Sequence, residues 1–267
     1  DSQAATDGFT GLGAEAIVIS DTGSVASATL SAVASANGSG TLDASSAVTI
    51  TGTAAEIIAA FADSTITEAS NVALTVNTAS NGTASLTQAR SLDSLTTGVV
   101  TATIADTAVS ALLGSTPLLD ANSNNAFTIT IGTGDATVSA ANLNDLNALT
   151  TVNVNAANVN TISSSSLSDI NTLYTAGGVS GLGDQDVTVS DSGSIAAGTL
   201  TTITAANGSG TLTASSAATV TGTATEIVAA LADSTITLAS NVDLTVNSGT
   251  ATLSQTRTLN SGTGGVV

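Results

Sequence analysis

One segment of the chain occurs twice. Residues 47–77 read AVTITGTAAEIIAAFADSTITEASNVALTVN and residues 217–247 read AATVTGTATEIVAALADSTITLASNVDLTVN. Of the 31 aligned positions 24 are identical, at an offset of 170. The chain is therefore a tandem array cut to about one and a half units, and such self-similarity restricts the fold more than any local motif.

The segment reads as strand, short helix, strand. Val48 and Ile50 alternate up to Gly52, and Thr53-Ala-Ala-Glu56 then has the form of a capping box. In that motif the Thr hydroxyl accepts from the Glu amide while the Glu carboxylate accepts from the Thr amide. Thr223-Ala-Thr-Glu226 repeats it. Ile57, Ile58 and Phe61, with Ile227, Val228 and Leu231 in the second copy, give the buried stripe of a helix. Asp63-Ser64 and Asp233-Ser234 end it, and Thr65–Thr67 and Asn71–Val76 return to the period of two that marks strands.

The same alternation continues along the chain. Residues 1–16 form a Gly-rich leading loop, Ile17–Ile19 a strand, and Asp21-Thr-Gly-Ser24 a turn that also caps the next segment. Val25, Leu30 and Val33 fit a helix or a loose coil equally well. Asn37-Gly38, Asn81-Gly82 and Asn207-Gly208 are turns, because Asn and Gly tolerate positive φ. Helical spacing recurs at Leu86–Leu95, Thr107–Leu113, Leu143–Leu149 and Leu167–Tyr174; strand alternation recurs at Val99–Ile104, Phe127–Ile131 and Val152–Val154. Pro117 and the Asn-rich stretch 121–125 mark a break, and from Gly177 the pattern restarts.

The major strands begin near 48, 72, 99, 126 and 151, about one solenoid coil apart. Parallel strands need long crossovers, which the helices supply. The expected fold class is a repeat solenoid: stacked parallel β-strands with one strand and one short helix per coil, an α/β solenoid. The alternative is a pure parallel β-helix in which the helical stretches are only corners. Residues 1–100 are then a partial first repeat unit, 101–176 its remainder, and 177–267 a partial second unit, continuous in one elongated solenoid.

Composition agrees with a thin core. Aromatic residues are 1% of the chain, so the apolar 42% is largely Ala and Val, which fill a layer that covers only its neighbours. No apolar run approaches the roughly 20 residues of a membrane span. The chain has no Cys, His, Met, Trp or Lys; Arg90 and Arg257, equivalent in the two copies, are its cations, and the net charge is −18. That balance argues against nucleic acid and anionic membrane as partners, leaving the chain itself, a cell envelope and divalent cations.

The missing residue types remove most mechanisms. Without His or Cys there is no Ser-His-Asp or Cys-His pair and no ordinary zinc site; without Lys there is no phosphate-binding P-loop and no Schiff base. Paired carboxylates could be sought at Glu56 and Glu226, but capping explains both. The expectation is no enzyme and no catalytic, cofactor-binding or metal residues. Calcium is the one ligand kept in view, from Gly177, Gly178, Gly181, Gly183, Asp184 and Asp186, and from Asp21 and Asp191, which recur in both copies. Thr49, Thr51, Thr65, Thr67, Thr128 and Thr130 could form outward hydroxyl rows suited to ice or to adhesion. Asn37, Asn81 and Asn207 also begin glycosylation sequons.

In its low-complexity Ala/Thr/Ser/Val/Gly/Asn usage, its lack of Lys and Cys, and phrases such as TGTAAEIIAAFADSTIT and TGTATEIVAALADSTIT, the chain resembles the giant repeat-containing cell-surface proteins of marine picocyanobacteria, of the swimming-associated Synechococcus type. The resemblance implies a secreted array at the outer cell surface and carries over no functional residues. The expected function is a structural extracellular protein forming a rigid acidic rod or surface layer. The alternatives are a filament subunit that stacks head to tail, and an adhesion or ice-binding module. The chain begins Asp1-Ser2-Gln3, which reads as a processed or excised product. Val99-Val100 and Val266-Val267 fall at the same phase, so another strand is the natural continuation.

Overall fold

The structure, a computed structural model, describes residues 13–77, 82–114 and 124–267. Most of the leading loop, Asn81, Pro117 and residues 121–123 lie outside the described residues. The fold is α/β, with several parallel sheets and, among the described residues, nine helices. Its contacts group into two compact units, Asp1–Thr130 with Ala148–Val152, and Ile131–Asn147 with Asn153–Val267.

In the first unit the elements run β1 (Ile17–Val18), β2 (Ser24–Ala26), α1 (Ser27–Ala36), β3 (Leu42–Asp43), β4 (Thr49–Gly52), α2 (Ala54–Ala62), β5 (Ile66–Thr67), β6 (Ala73–Val76), β7 (Thr83–Ala84), α3 (Leu86–Leu95), β8 (Val100–Ile104), α4 (Val109–Leu112) and β9 (Ala126–Thr128). Two parallel sheets form. One has the order β1-β3-β5; in the other β2, β4, β6 and β8 follow one another, β7 continues the side of β8 that β6 begins, and β9 takes its other side. Apart from β7 and β8, whose Thr83 and Thr103 are 20 apart, partners lie 24 to 26 residues apart, as in Val25–Ile50, Ile50–Leu74 and Leu74–Val100. This register follows from the side-chain pattern: a slip of one residue would turn every apolar side chain of a strand outward. Val25, Ile50, Leu74 and Val100 therefore form one buried ladder, and Leu42 and Ile66 belong to a second. Helices α1, α2 and α3 pack on one another in sequence order.

The second unit contains β10 (Thr137–Ser139), α5 (Ala140–Ala148), β11 (Val154–Asn155), β12 (Thr161–Ser165), α6 (Leu167–Thr175), β13 (Val179–Ser180), β14 (Asp186–Val189), β15 (Ser194–Ala196), α7 (Ala197–Asn207), β16 (Leu212–Ala214), β17 (Thr219–Thr223), α8 (Ala224–Ala232), β18 (Ile236–Leu238), β19 (Asp243–Ser248) and α9 (Leu253–Gly262). Its sheets are β10-β12-β14-β16-β18, β11-β13 and β15-β17-β19, all parallel. Val138, Ile162, Val187 and Leu212 make one buried ladder, and Ile195, Val220 and Leu244 another. Helices α6, α7, α8 and α9 pack in order.

Two strands, not one, lie between most successive helices. Between α2 and α3 the alternation at Thr65–Thr67 and Asn71–Val76 marks β5 and β6, whereas Leu42–Asp43 is too brief for alternation to register. Three strands lie between α2 and α3 and again, in the Gly-rich stretch after Gly177, between α6 and α7, where β12, which leads into a helix, pairs with β14, which does not. The stretches read as corners in the β-helix alternative are helices; α2 and α8 each span nine residues. Val25 lies in β2 and Leu30 and Val33 in α1, so that segment is ordered, but Ser24 does not cap it: Ala26 is the N-cap and makes no side-chain bond.

Candidate functional site

Capping explains both glutamates. The Thr53 amide donates to Glu56 Oε2 at 2.8 Å and the Glu56 amide to Thr53 Oγ1 at 3.2 Å; Thr223 and Glu226 repeat this at 2.7 and 3.2 Å. The Thr amides hold both carboxyls below the usual carboxylate range, as a donor to the charged form must. Ser85 with Gln88 and Thr252 with Gln255 form two further boxes.

Other aspartates close gaps between neighbouring strand–helix layers. Asp106 Oδ2 accepts from the first amide of α3, at Leu86, over 3.2 Å, and Asp191 Oδ2 from the first amide of α6, at Leu167, over 2.6 Å. Ser165 Oγ does the same for Ala140 of α5 at 2.9 Å. Each partner comes from a later layer, 20 to 25 residues on, and satisfies a donor that the helix itself cannot. This role of Asp191 was not legible in the Asp-x-Gly pattern, which has the local form of a turn.

The Gly-rich stretch considered for calcium is tied differently. Gln185, 1% exposed, accepts the Gly183 and Asp184 amides at its Oε1 and donates from Nε2 to the Val159 and Gly181 carbonyls and to Asp184 Oδ1. Asp186 accepts from the Thr211 hydroxyl at 2.6 Å. Gly181, at φ +81, lies where a Cβ would meet the Ala157 backbone at 2.6 Å, so a left-handed turn and a close approach both require glycine. Among the described residues no three acidic side chains come together as a metal site. Asp21 is exposed.

Both described Asn-Gly turns are clamps. Asn37 and Asn207 are fully buried, and their amides copy a strand's hydrogen bonds: Asn37 Nδ2 donates to the Glu15 carbonyl at 2.7 Å and Oδ1 accepts from its amide at 3.2 Å. Asn207 binds the Gln185 backbone likewise, at 2.7 and 3.1 Å, and its Oδ1 also accepts from the Tyr174 hydroxyl at 2.9 Å. Burial pushes that phenol well above its ordinary range. Neither Asn can carry a glycan while folded; Asn81 lies outside the described residues. The clamp leaves no sequence signal beyond Asn-Gly, which reads first as a turn.

Hydroxyl rows exist on the outer strand faces. Thr51, Thr75 and Thr101 stand in register, Thr49 pairs with Ala73, Thr103 with Thr128, and Thr67 with Asp43. Thr65 does not join them, because its amide and hydroxyl both bond Asp63 Oδ1. Thr130 is half-buried beyond β9. A polar concavity of about 410 Å³ lies where Asn171, Gly198, Thr202, Thr221, Glu226 and Asn247 meet. Its one carboxylate is the capping Glu226. Arg90 is half-buried on α3 and Arg257 exposed on α9.

Glu68 is the unusual acid. It is half-buried, one carboxyl oxygen is buried without a hydrogen-bond partner, and loss of water raises its pKa from 4.5 to about 7, with the Asp63 charge adding to the rise. Leu238 occupies the equivalent position in the second copy.

No helix among the described residues is long and apolar enough to cross a membrane. Comparison with family models, with curated proteins and with solved structures found no match.

Proposed function

We propose that the chain is a structural repeat protein of the outer cell surface, an α/β solenoid whose work is mechanical and steric. The observation that carries this reading is the register: within each unit, apolar ladders join strands 24 to 26 residues apart, and caps and Asn clamps join the same layers. A chain built this way gains stability by adding layers and needs no large central core. A rigid acidic rod or layer is what such an array provides at a surface. The hydrogen-bonding side chains of the caps and clamps serve the scaffold, and the reading is of a protein that is not an enzyme and holds no cofactor.

Surface placement rests on the resemblance and on the composition. An antibody raised against the chain should label intact, unpermeabilised cells of its source. Labelling seen only after permeabilisation would end the surface reading. The second reading is a filament subunit whose copies stack head to tail, since parallel ladders of this kind are a form of pairing that a further strand can extend.

A further inference from the structure

The polar concavity of the second unit is walled by elements with neighbours on both sides: α7 packs between α6 and α8, α8 between α7 and α9, and β17 pairs with β15 and β19. Its volume of about 410 Å³ is that of a small-ligand site. The polar groups that reach it are unequally used. Glu226 engages Oε2 in its cap, accepting from the Thr223 amide at 2.7 Å and the Thr223 hydroxyl at 2.9 Å, while Oε1 carries no hydrogen bond among the described residues. The Thr202 hydroxyl donates to the Gly198 carbonyl at 2.8 Å and the Thr221 hydroxyl to the Ile195 carbonyl at 3.2 Å, so each has committed its proton and offers lone pairs. Ala196, the N-cap of α7, makes no side-chain bond, so the start of that helix, where Gly198 and Thr199 line the concavity, has no side-chain cap of its own.

The two copies differ at this place. A Cβ at Gly198 would come within 2.9 Å of Glu226 Oε1. The first copy carries that Cβ, at Ala28, and has Ala32 in place of Thr202. Glycine costs a helix stability relative to alanine, and here it leaves Oε1 open to the concavity.

We propose that the concavity binds a sugar residue of a neutral glycan. Vicinal hydroxyls donate to Glu226 Oε1 and to the Thr202 and Thr221 oxygens, and their own oxygens accept from the first-turn amides of α7. A hydroxyl does both. An ammonium only donates and would face the positive end of α7; an anion would meet Glu226 and a chain of net charge −18. Among the described residues no aromatic ring lines the concavity, so a single sugar binds weakly, with a dissociation constant on the order of millimolar. The site stands on the second unit alone, and its failure leaves the surface reading untouched.

The test is titration of the full chain with the methyl glycosides of glucose, galactose and mannose, each to about 100 mM, followed at the amide resonances of Gly198 and Thr199. At least one glycoside should shift both saturably. Gly198→Ala, the residue of the first copy, should weaken that binding at least about ten-fold. Glu226→Gln should do the same while keeping a capping box, as Gln88 and Gln255 do. An unshifted Val220 amide reports an intact fold in each variant. No saturable shift from any of the three glycosides would overturn the proposal, as would undiminished binding by either variant with Val220 unshifted. Shifts produced by the diamine putrescine and not by the glycosides would make the concavity a cation site and overturn it equally.

Discussion

At the scale of single residues, the two copies supply their own substitutions. Gln185 and Glu15 occupy equivalent positions, and both accept amides of the preceding Gly-rich turn. Glu15 is exposed, and those amides lower its pKa. Gln185 is buried and must also donate, to Val159 and to Asp184. Gln185→Glu would remove the donor and set a carboxylate beside another, so it should cost about 2 to 4 kcal/mol. Tyr174, the only Tyr in a chain without Trp and bonded to the same Asn207, reports it as a lower urea midpoint of intrinsic fluorescence. Glu68 gives the pH dependence. Its folded pKa lies above its unfolded one, so the native state holds the proton longer; its contribution is complete below about pH 4.5 and is lost as pH rises through about 7. Glu68→Leu, the residue of the second copy, should remove that loss, and the gap in melting temperature between variant and parent should widen from pH 4.5 to pH 8. The capping glutamates act oppositely: their pKa values are lowered, and their contribution fades as the pH falls into the acid range.

At the scale of elements, α3, α5 and α6 each have two caps, their own box or hydroxyl and a group from a later layer. Asp191→Ala leaves Ser166 capping α6 from within but removes the acceptor of the Leu167 amide. It should cost about 1 kcal/mol, read as a lower urea midpoint, with Asp191→Asn recovering part. The two kinds of cap were unequally legible. Thr53-x-x-Glu56 and Thr223-x-x-Glu226 announce themselves because both partners sit within one turn, and the helix at Leu86–Leu95 was bounded to the residue for a similar reason: its leucines recur at helical spacing. The contribution of Asp191 was not, since its partner is 24 residues away and only the folded register brings them together. The same cause hid the strand at Leu42–Asp43, which is fixed by its ladder neighbours Ile17 and Ile66 rather than by alternation along its own short segment; the strand at Ile66–Thr67 was legible, in the alternation of Thr65–Thr67. The Asn37 and Asn207 clamps show a third case, in which a turn residue bonds across layers as well as within its turn.

At the scale of the whole molecule, the register makes a whole layer the natural unit of change. Removing Ile50–Ala73, so that Thr49 joins Leu74, rebuilds a strand of the same phase and keeps the ladder from Val25 to Leu74. Such a variant should fold cooperatively, with a lower melting temperature and an unchanged shape of its circular-dichroism spectrum. Removing only Ile50–Phe61 puts strand and helix residues out of phase and should abolish the transition. Equal tolerance of both deletions would argue that the register does not govern stability. With two cations against 20 acidic residues the chain has few ion pairs to draw on, and cohesion comes from apolar ladders and from hydrogen bonds, some of them to carboxylates such as Asp106 and Asp191. The ladder bonds run across neighbouring strands, evenly spaced and slanted, as in all parallel pairs. A pull applied at one terminus would load them one at a time, like a zip, rather than all at once in shear. Each layer that yields would release about 25 residues, roughly 85 Å of extended chain. Under the structural reading proposed above, each unit drawn out in this way would lengthen in nearly even steps, one layer at a time.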